Sequence, residues 1–197
     1  MIFEVQNLWV NNNKSRVVWG EIAKSLIWVA GAVSRDDLKP ALMLLKVEEK
    51  RVVATDGHKL HLWDGSFNEL SPGLYCVPRR TTRRLEIYKY DGPELSGLGG
   101  TYPDIDKPHL LPTYDLKKQT VEGCSKSVSL YDTSIYARYA QVIRAMDPTV
   151  TINFDKFKGT AEGMDRVFVR DDSIRGLVFM GKQRIGLLMP VRVGDDW

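Results

Sequence analysis

Hydrophobic residues recur at helical spacing in two parts of the chain. In the first part, separations of four, three and four residues predict a helix over residues 19–33. Its apolar face would consist of Ile22, Leu26, Val29 and Val33. A similar spacing predicts a second helix over residues 133–146, with Asp132 as its N-terminal cap and Pro148 as its stop. The apolar face of this helix would consist of Ile135, Tyr139, Val142 and Met146.

Alternating and short continuous apolar runs predict strands. Residues 41–47 and 51–55 form a candidate hairpin around Glu48-Glu49-Lys50, and Asp56-Gly57 is a turn signal before the alternating residues 59–63. Pro78 suits a first helical position, so a basic helix is expected over residues 79–90. Further strands are predicted at residues 2–10, 74–77, 127–130, 149–154, 166–170, 174–180 and 184–191. This order indicates an α+β fold with antiparallel sheets.

One composition shift suggests a domain boundary. Residues 91–125 are rich in glycine and proline and show no clear period. The length of 197 residues allows one large domain or two small ones. We therefore expect two reduced domains, over residues 1–112 and 113–197.

Composition excludes several classes of protein. Hydrophobic residues make up 43% and charged residues 27%, which argues against wholesale disorder. The net charge of +3 is too small to indicate a nucleic-acid partner unless the basic residues cluster. Cys76 and Cys124 are too few for a disulfide scaffold or a cysteine-rich zinc site. With no long apolar run and no basic, apolar N-terminal leader, a reduced, cytoplasmic compartment is expected.

Catalytic chemistry has no positive signal in the sequence. His58 and His61 are three residues apart, a spacing that points to opposite faces of a strand rather than to a shared metal. Gly97-Leu98-Gly99-Gly100 lacks the Lys-Ser/Thr of a phosphate loop, and G-x-S-x-G is absent from the sequence. The chain is therefore not expected to be an enzyme, and no cofactor or metal is expected.

Four short motifs carry a resemblance to a known family. They are Val52-Val53-Ala54-Thr55-Asp56-Gly57-His58-Lys59-Leu60, Cys76-Val77-Pro78-Arg79-Arg80, Tyr102-Pro103-Asp104 with Pro112, and Leu187-Leu188-Met189-Pro190-Val191-Arg192-Val193. In this order they resemble the V-A-T-D-G-H-R-L, V-P-R-K, F-P-D-Y…P and V-M-P-M-R-L segments of the bacterial DNA polymerase III beta subunit, the sliding clamp. The resemblance covers the family's middle and last domains in shortened form, with Lys59 in place of the usual arginine. It implies a clamp-like fold of antiparallel sheets with helices on one face, in a bacterial or phage protein.

The resemblance implies a groove for partner peptides. In the family, the D-G-H turn and the M-P-x-R strand face one another across a domain junction and bind short linear segments of polymerases and other replication proteins. One wall would consist of Thr55, Gly57, His58, Lys59 and Leu60. The other wall would consist of Leu187, Met189, Pro190, Val191 and Arg192, with Pro112 nearby. Taken alone, residues 187–193 also fit an ordinary core strand.

The basic residues are the candidate contacts to duplex DNA. In a clamp, helices line the central hole and touch phosphates without reading bases. Applied to this chain, that role falls on Lys24, Arg79, Arg80, Arg83, Arg84, Arg138 and Arg144. A solvated charged surface is the alternative interpretation.

Three functions remain open at this stage. The first is a sliding clamp, or processivity factor, which as a two-domain chain would close a ring as a head-to-tail homotrimer. The second is a monomeric clamp-derived module, a regulator or decoy that keeps the peptide groove without encircling DNA. The third is an unrelated enzyme in which the A-T-D-G-H segment is coincidental. The mass in solution separates the first two.

Overall fold

Two units divide the chain between Pro103 and Asp104. The computed structural model describes residues 2–6, 14–18, 21–36, 38–65, 67, 70–91, 102–107, 110–131, 134–171 and 176–192. The domain boundary predicted after residue 112 falls a short way inside the second unit.

The first unit is an antiparallel sheet with a helix packed against it. Its strands follow the order β1-β2-β7-β6-β3-β4-β5. Their bounds are β1 Ile2–Gln6, β2 Lys14–Val18, β3 Leu44–Val47, β4 Arg51–Thr55, β5 Lys59–Asp64, β6 Gly73–Arg80 and β7 Leu85–Lys89. Helix α1, Glu21–Val29, continues as a short 3-10 turn at Ala30–Ala32, and a second 3-10 turn covers Pro40–Met43. Helix α1 contacts β4, β5 and β7.

The core of the first unit lies between α1 and the sheet. Leu26 and Val29 of the predicted apolar face are completely buried. In the sheet that α1 contacts, Leu85 and Ile87 of β7 also have no exposed area. The helix predicted over residues 19–33 is confirmed from Glu21 to Val29, after which the 3-10 turn follows and Val33 is already extended. Trp19 lies outside the described residues.

A β-bulge interrupts the pairing of β6 with β7. Cys76 lies opposite Tyr88 and Arg79 lies opposite Glu86, so β6 has one residue more than β7 between these two pairs. Pro78, which has no backbone N–H to donate, falls within this irregular segment.

The second unit repeats the plan of sheet and helices on a smaller scale. Strands β10 Lys126–Ser129, β12 Arg166–Val169, β13 Leu177–Met180 and β14 Arg184–Leu188 form an antiparallel sheet in the order β14-β13-β12-β10. Helix α2, Ile135–Ala145, contacts β10 and β12, and helix α3, Phe154–Ala161, contacts β14. Two short pairs complete the unit, β8 Tyr114–Asp115 with β9 Thr120–Val121, and β11 Val150–Thr151 with β15 Val191–Arg192.

The predicted α+β class with antiparallel sheets is confirmed, but the basic helix over residues 79–90 is wrong. Arg79 and Arg80 end strand β6, a turn follows, and β7 begins at Leu85. In the turn, the Thr81 hydroxyl oxygen accepts hydrogen bonds from the backbone N–H groups of Arg83 and Arg84. Leu85 and Ile87 are buried while Glu86 and Tyr88 are partly exposed, a period of two that belongs to a strand.

Two further expectations in the second unit are corrected. The cap of α2 is Ser134, whose hydroxyl oxygen accepts from the Ala137 N–H at 3.2 Å; Asp132 lies outside the described residues. The strand predicted at 149–154 is only Val150–Thr151, because Asn153 caps α3 by accepting from the Lys156 N–H at 3.0 Å.

Candidate functional site

The turn between β4 and β5 is held by its own side chains. One carboxylate oxygen of Asp56 accepts hydrogen bonds from the backbone N–H groups of His58 and Lys59, both at 2.8 Å. The hydroxyl of Thr55 donates to the Lys59 carbonyl at 2.8 Å and accepts from the Gly57 N–H at 3.1 Å. Gly57 has a φ of 89°, in the left-handed region that favours glycine.

This geometry divides the predicted first wall of the peptide groove. Thr55 and Leu60 are buried, at 7% and 6% exposure, so they shape the turn rather than present a surface. Gly57 and His58 are exposed, and Lys59 is partly exposed. The surface that this segment offers to a ligand is therefore Gly57-His58-Lys59.

A cleft of about 730 Å³ in the first unit brings two of the sequence motifs together. His58 and Lys59 of the turn line it, and so do Pro78 and Arg80 of β6. Asp56 of the same turn and Val77 of β6 also line it. The remaining lining comes from the segment after α1, with Ala30, Gly31, Val33, Ser34, Arg35, Asp36, Lys39 and Met43. Basic side chains outnumber acidic ones in this lining. Sequence analysis did not select Arg35 or Lys39, because their only signal is the fold that brings them here.

A buried histidine lies next to Gly31 of this cleft. His61 is 1% exposed, and its ring stacks on Trp28 with centroids 4.1 Å apart and planes 3° from parallel. Its Nδ1 donates to the Trp28 carbonyl across 2.7 Å, since a carbonyl oxygen can only accept. Burial lowers the pKa of His61 to about 3, so the ring is neutral at physiological pH. His61 is therefore a structural residue, as Trp28 is.

Arg80 reaches over the end of α1. A Cβ added to Gly31 would lie 2.7 Å from Nη1 of Arg80, so the glycine leaves room for the guanidinium. The same guanidinium contributes to the electrostatic environment of His61.

The other predicted DNA contacts occupy several elements. Arg79 and Arg83 are exposed near the β6–β7 turn, and Arg84 forms an ion pair with Glu86 at 3.6 Å. Lys24 is exposed on α1. On α2, Arg144 is exposed and Arg138 is partly exposed. The four arginines of residues 79–84 therefore lie on a hairpin end and not on a helix.

The C-terminal motif lies at the end of β14 in the second unit. Leu187 is 6% exposed and belongs to the core, whereas Met189 is 39% exposed. Pro190 and Val191 are partly exposed, and the side chain of Arg192 lies outside the described residues. Pro112 is buried. The backbone is tight here, since a Cβ on Gly176 would meet the Leu188 carbonyl oxygen at 2.8 Å and the Met189 sulfur at 3.1 Å.

The second unit has its own pocket of about 360 Å³. Pro190 of the C-terminal motif lines it together with Leu177, and the end of α2 contributes Met146 and Pro148. Arg170, which is 8% exposed, and Lys126 supply positive charge. Asp147 and Asp171 also line the pocket, and each accepts hydrogen bonds from a nearby backbone N–H and a hydroxyl.

The described part of the chain contains neither a cluster of metal-ligating side chains nor a thiol with a lowered pKa. No group of three or more histidine, cysteine or acidic side chains is placed to hold a metal ion there. Burial raises the pKa of both Cys76 and Cys124, which disfavours the reactive thiolate. Among the same residues, no helix is long and apolar enough to cross a membrane.

Two α+β units, each an antiparallel sheet with packed helices, define the class: this is the fold of the DNA sliding clamps. Among solved structures, the DNA polymerase III beta chain of Streptococcus pneumoniae TIGR4 superposes with a TM-score of 0.55 and 13% identity, covering 96% of this chain and 67% of that chain. The beta subunit of Streptococcus pyogenes gives a TM-score of 0.55 and 14% identity, covering 96% of this chain and 68% of that one. The beta subunit of Borrelia burgdorferi, in complex with a natural product, gives a TM-score of 0.54 and 13% identity, covering 98% of this chain and 65% of that one.

The likeness is one of fold rather than of sequence. The sequence matches no protein-family model and no curated protein. The resemblance noted from four short motifs is confirmed at the level of the fold, over about two thirds of the length of a clamp. The fold is consistent with the expectation that this chain is not an enzyme.

Proposed function

We propose that this chain is a reduced DNA sliding clamp, a processivity factor that encircles duplex DNA and binds partner peptides. The observation that carries the proposal is the clamp fold, which extends over 96% of the chain. A clamp ring is built from six domains, and two units per chain would supply six from three copies. The contact between copies would be head to tail and would close on itself.

Strands at the sheet edges can supply such a contact. Among the described strands, β1 is at one edge of the first sheet and β10 is at one edge of the second. An edge strand has unpaired backbone groups that can extend a sheet into the next subunit. Strand β10 is short and polar, with Lys126 and two serines exposed, which keeps a free subunit from pairing indiscriminately.

Partner peptides would bind around the Gly57-His58-Lys59 turn and the Met189-Pro190 segment. The support is that both segments are exposed or partly exposed and that each unit has a cleft lined by part of its own motif. Met189 offers an adaptable apolar surface, and the first cleft offers cations for carbonyl or carboxylate groups. We expect an affinity on the order of micromolar, because a short flexible peptide must be ordered on binding.

Mass and DNA topology together test the ring. A trimer by light scattering would have three times the 22.4 kDa mass of one chain. If it is a ring, protein loaded on a nicked circular plasmid is retained in high salt and is lost when the plasmid is linearised. A clean monomer at high concentration, with no difference between circular and linear DNA, contradicts the ring.

The monomeric module is the second candidate function. It is favoured by the fact that the chain spans only about two thirds of the length of a clamp. A monomer that still binds a clamp-binding peptide would establish this function. A trimer on circular DNA would exclude it.

A further inference from the structure

One exposed aromatic side chain in the second unit is supported from below by a series of rings. Tyr136 of α2 is 71% exposed, yet its ring stacks on Phe154 of α3 with centroids 5.1 Å apart and planes 10° from parallel. Tyr139 packs edge-on against Phe154 at 5.1 Å. One face of the Tyr136 ring is thus covered by Phe154, and most of the remaining ring surface is in solvent.

The support beneath this stack is anchored in the core. The Tyr139 ring also contacts Phe157, which is completely buried, and Phe157 contacts Phe179. The Tyr139 hydroxyl donates to the Ile152 carbonyl at 2.7 Å, which fixes the position of its ring. The Tyr136–Phe154 stack is therefore a positioned platform and not a loose surface tyrosine.

Basic residues outnumber acidic ones on the two helices that carry the platform. The one acidic residue of α2 and α3 is Asp155, exposed beside Phe154, against Arg138, Arg144, Lys156 and Lys158. Helix α2 carries Arg138 and Arg144 and no acidic residue. Along its exposed face, Tyr136, Ala140 and Arg144 follow one another at intervals of four residues, and the small Ala140 leaves the space between ring and guanidinium open. Over eight residues this stripe extends about 12 Å. On α3, the exposed Lys158 lies one turn after Phe154.

An aromatic ring with one open face beside spaced cations is the arrangement that holds an unpaired nucleobase and its phosphates. We propose that the Tyr136–Phe154 stack binds a base of single-stranded DNA, with Arg144 and Lys158 contacting the phosphates on either side. Stacking does not depend on base identity, because every base has a π face, so this contact is independent of sequence. It goes beyond the proposed clamp function, in which the duplex is held through its backbone alone.

The test compares binding of a fluorescent oligothymidine with binding of an abasic oligonucleotide of the same length, at one salt concentration. Tyr136→Ala should lower affinity for oligothymidine about 5- to 100-fold. Tyr136→Phe keeps the ring and should stay within about twofold of the wild type. The matched control is Tyr131→Ala, which removes a tyrosine that is 59% exposed and that stacks on no other ring of the described residues.

Three results would overturn the proposal. The first is that the wild type does not bind oligothymidine, and the second is that Tyr136→Ala binds it as tightly as the wild type. The third is that Tyr136→Ala loses as much affinity for the abasic strand as for oligothymidine, which would mean that Tyr136 acts on the phosphates. Thermal unfolding of Tyr136→Ala should match the wild type, since the side chain is exposed. Failure of the clamp proposal would appear separately, as a monomer that does not discriminate circular from linear duplex.

Discussion

At the scale of single residues, Gly57 fixes the conformation of the turn that presents His58 and Lys59. Its φ of 89° strains any residue with a Cβ, although the nearest atom to that Cβ, on Leu42, is at an ordinary 3.8 Å. We expect Gly57→Ala to lower the free energy of unfolding by about 1–2 kcal/mol, entirely through the backbone. Urea unfolding measures the change.

Gly159 provides the control for this prediction. It lies within α3, and a Cβ added there would meet no atom within 4 Å. Gly159→Ala should therefore stabilise the protein by about 0.5–1 kcal/mol. Equal effects of the two substitutions would show that backbone conformation at Gly57 is not the cause.

His61 makes stability depend on pH. Burial lowers its pKa to about 3, although the hydrogen bond to the Trp28 carbonyl raises the pKa in part. The nearby charges have smaller effects: Lys59 and Arg80 lower the pKa and Asp56 raises it. In the unfolded chain the ring takes up a proton near pH 6.5, whereas the folded chain excludes it down to about pH 3. Stability that is present above pH 6.5 is therefore lost as the pH falls, by up to about 1.4 kcal/mol per pH unit.

The measurement is urea unfolding of the wild type and His61→Asn at pH 7.5, 6.5 and 5.5. Asparagine can still donate to the Trp28 carbonyl but does not titrate. We expect the wild type to lose stability more steeply than the variant below pH 6.5. Parallel curves would mean that His61 takes up its proton in the folded protein.

At the scale of elements, the β6–β7 hairpin concentrates positive charge at one end. Arg79 and Arg83 are exposed there. Replacing both by Ala should weaken duplex binding equally on unrelated sequences and reduce the salt slope by up to about 0.9 for each phosphate that is no longer neutralised. The charge-matched control is the pair Lys117→Ala and Lys118→Ala in the second unit, both exposed. Equal effects of the two double variants would mean that Arg79 and Arg83 act only through the net charge of the protein and not through contacts of the hairpin with DNA.

The end of β14 separates core from candidate groove within three residues. Leu187→Ala should cost about 2–5 kcal/mol of stability, because the side chain is 6% exposed. Met189→Ala should cost about 1 kcal/mol or less of stability and about 1–2 kcal/mol of peptide binding, because Met189 is 39% exposed. Thermal unfolding and peptide titration on both variants check this. A stability loss for Met189→Ala as large as that for Leu187→Ala would make the segment an ordinary core strand.

Hydrophobic period predicted the elements that bury one clear face. The spacing of Leu26 and Val29 identified α1, and the run at residues 51–55 identified β4. Prediction failed where charge obscured the period: the arginines of residues 79–84 suggested a helix, although the alternation of Leu85 and Ile87 specified a strand. Helix α3 was missed because it is only eight residues long and contains Gly159.

At the scale of the whole molecule, four short motifs in order predicted the fold that the structure has. They could not predict which of their residues are accessible. Thr55 and Leu60 are buried in their own turn, and Arg35 and Lys39 join the cleft only through the path of the chain after α1. Tyr136 was assigned no role from the sequence, since its value as a platform depends on Phe154, eighteen residues later.

The bulge in β6 determines where the chain can change its length. The residue that it adds between Cys76 and Arg79 has no partner of its own on β7. Deleting Val77 would leave Cys76 opposite Tyr88 and Arg79 opposite Glu86, with each side chain on its present face. Deleting Val53 from the regular strand β4 would instead turn the side chains on one side of the gap over to the opposite face. A family of proteins built on this fold would therefore gain and lose residues at Val77 and Pro78 while keeping the arginines in place.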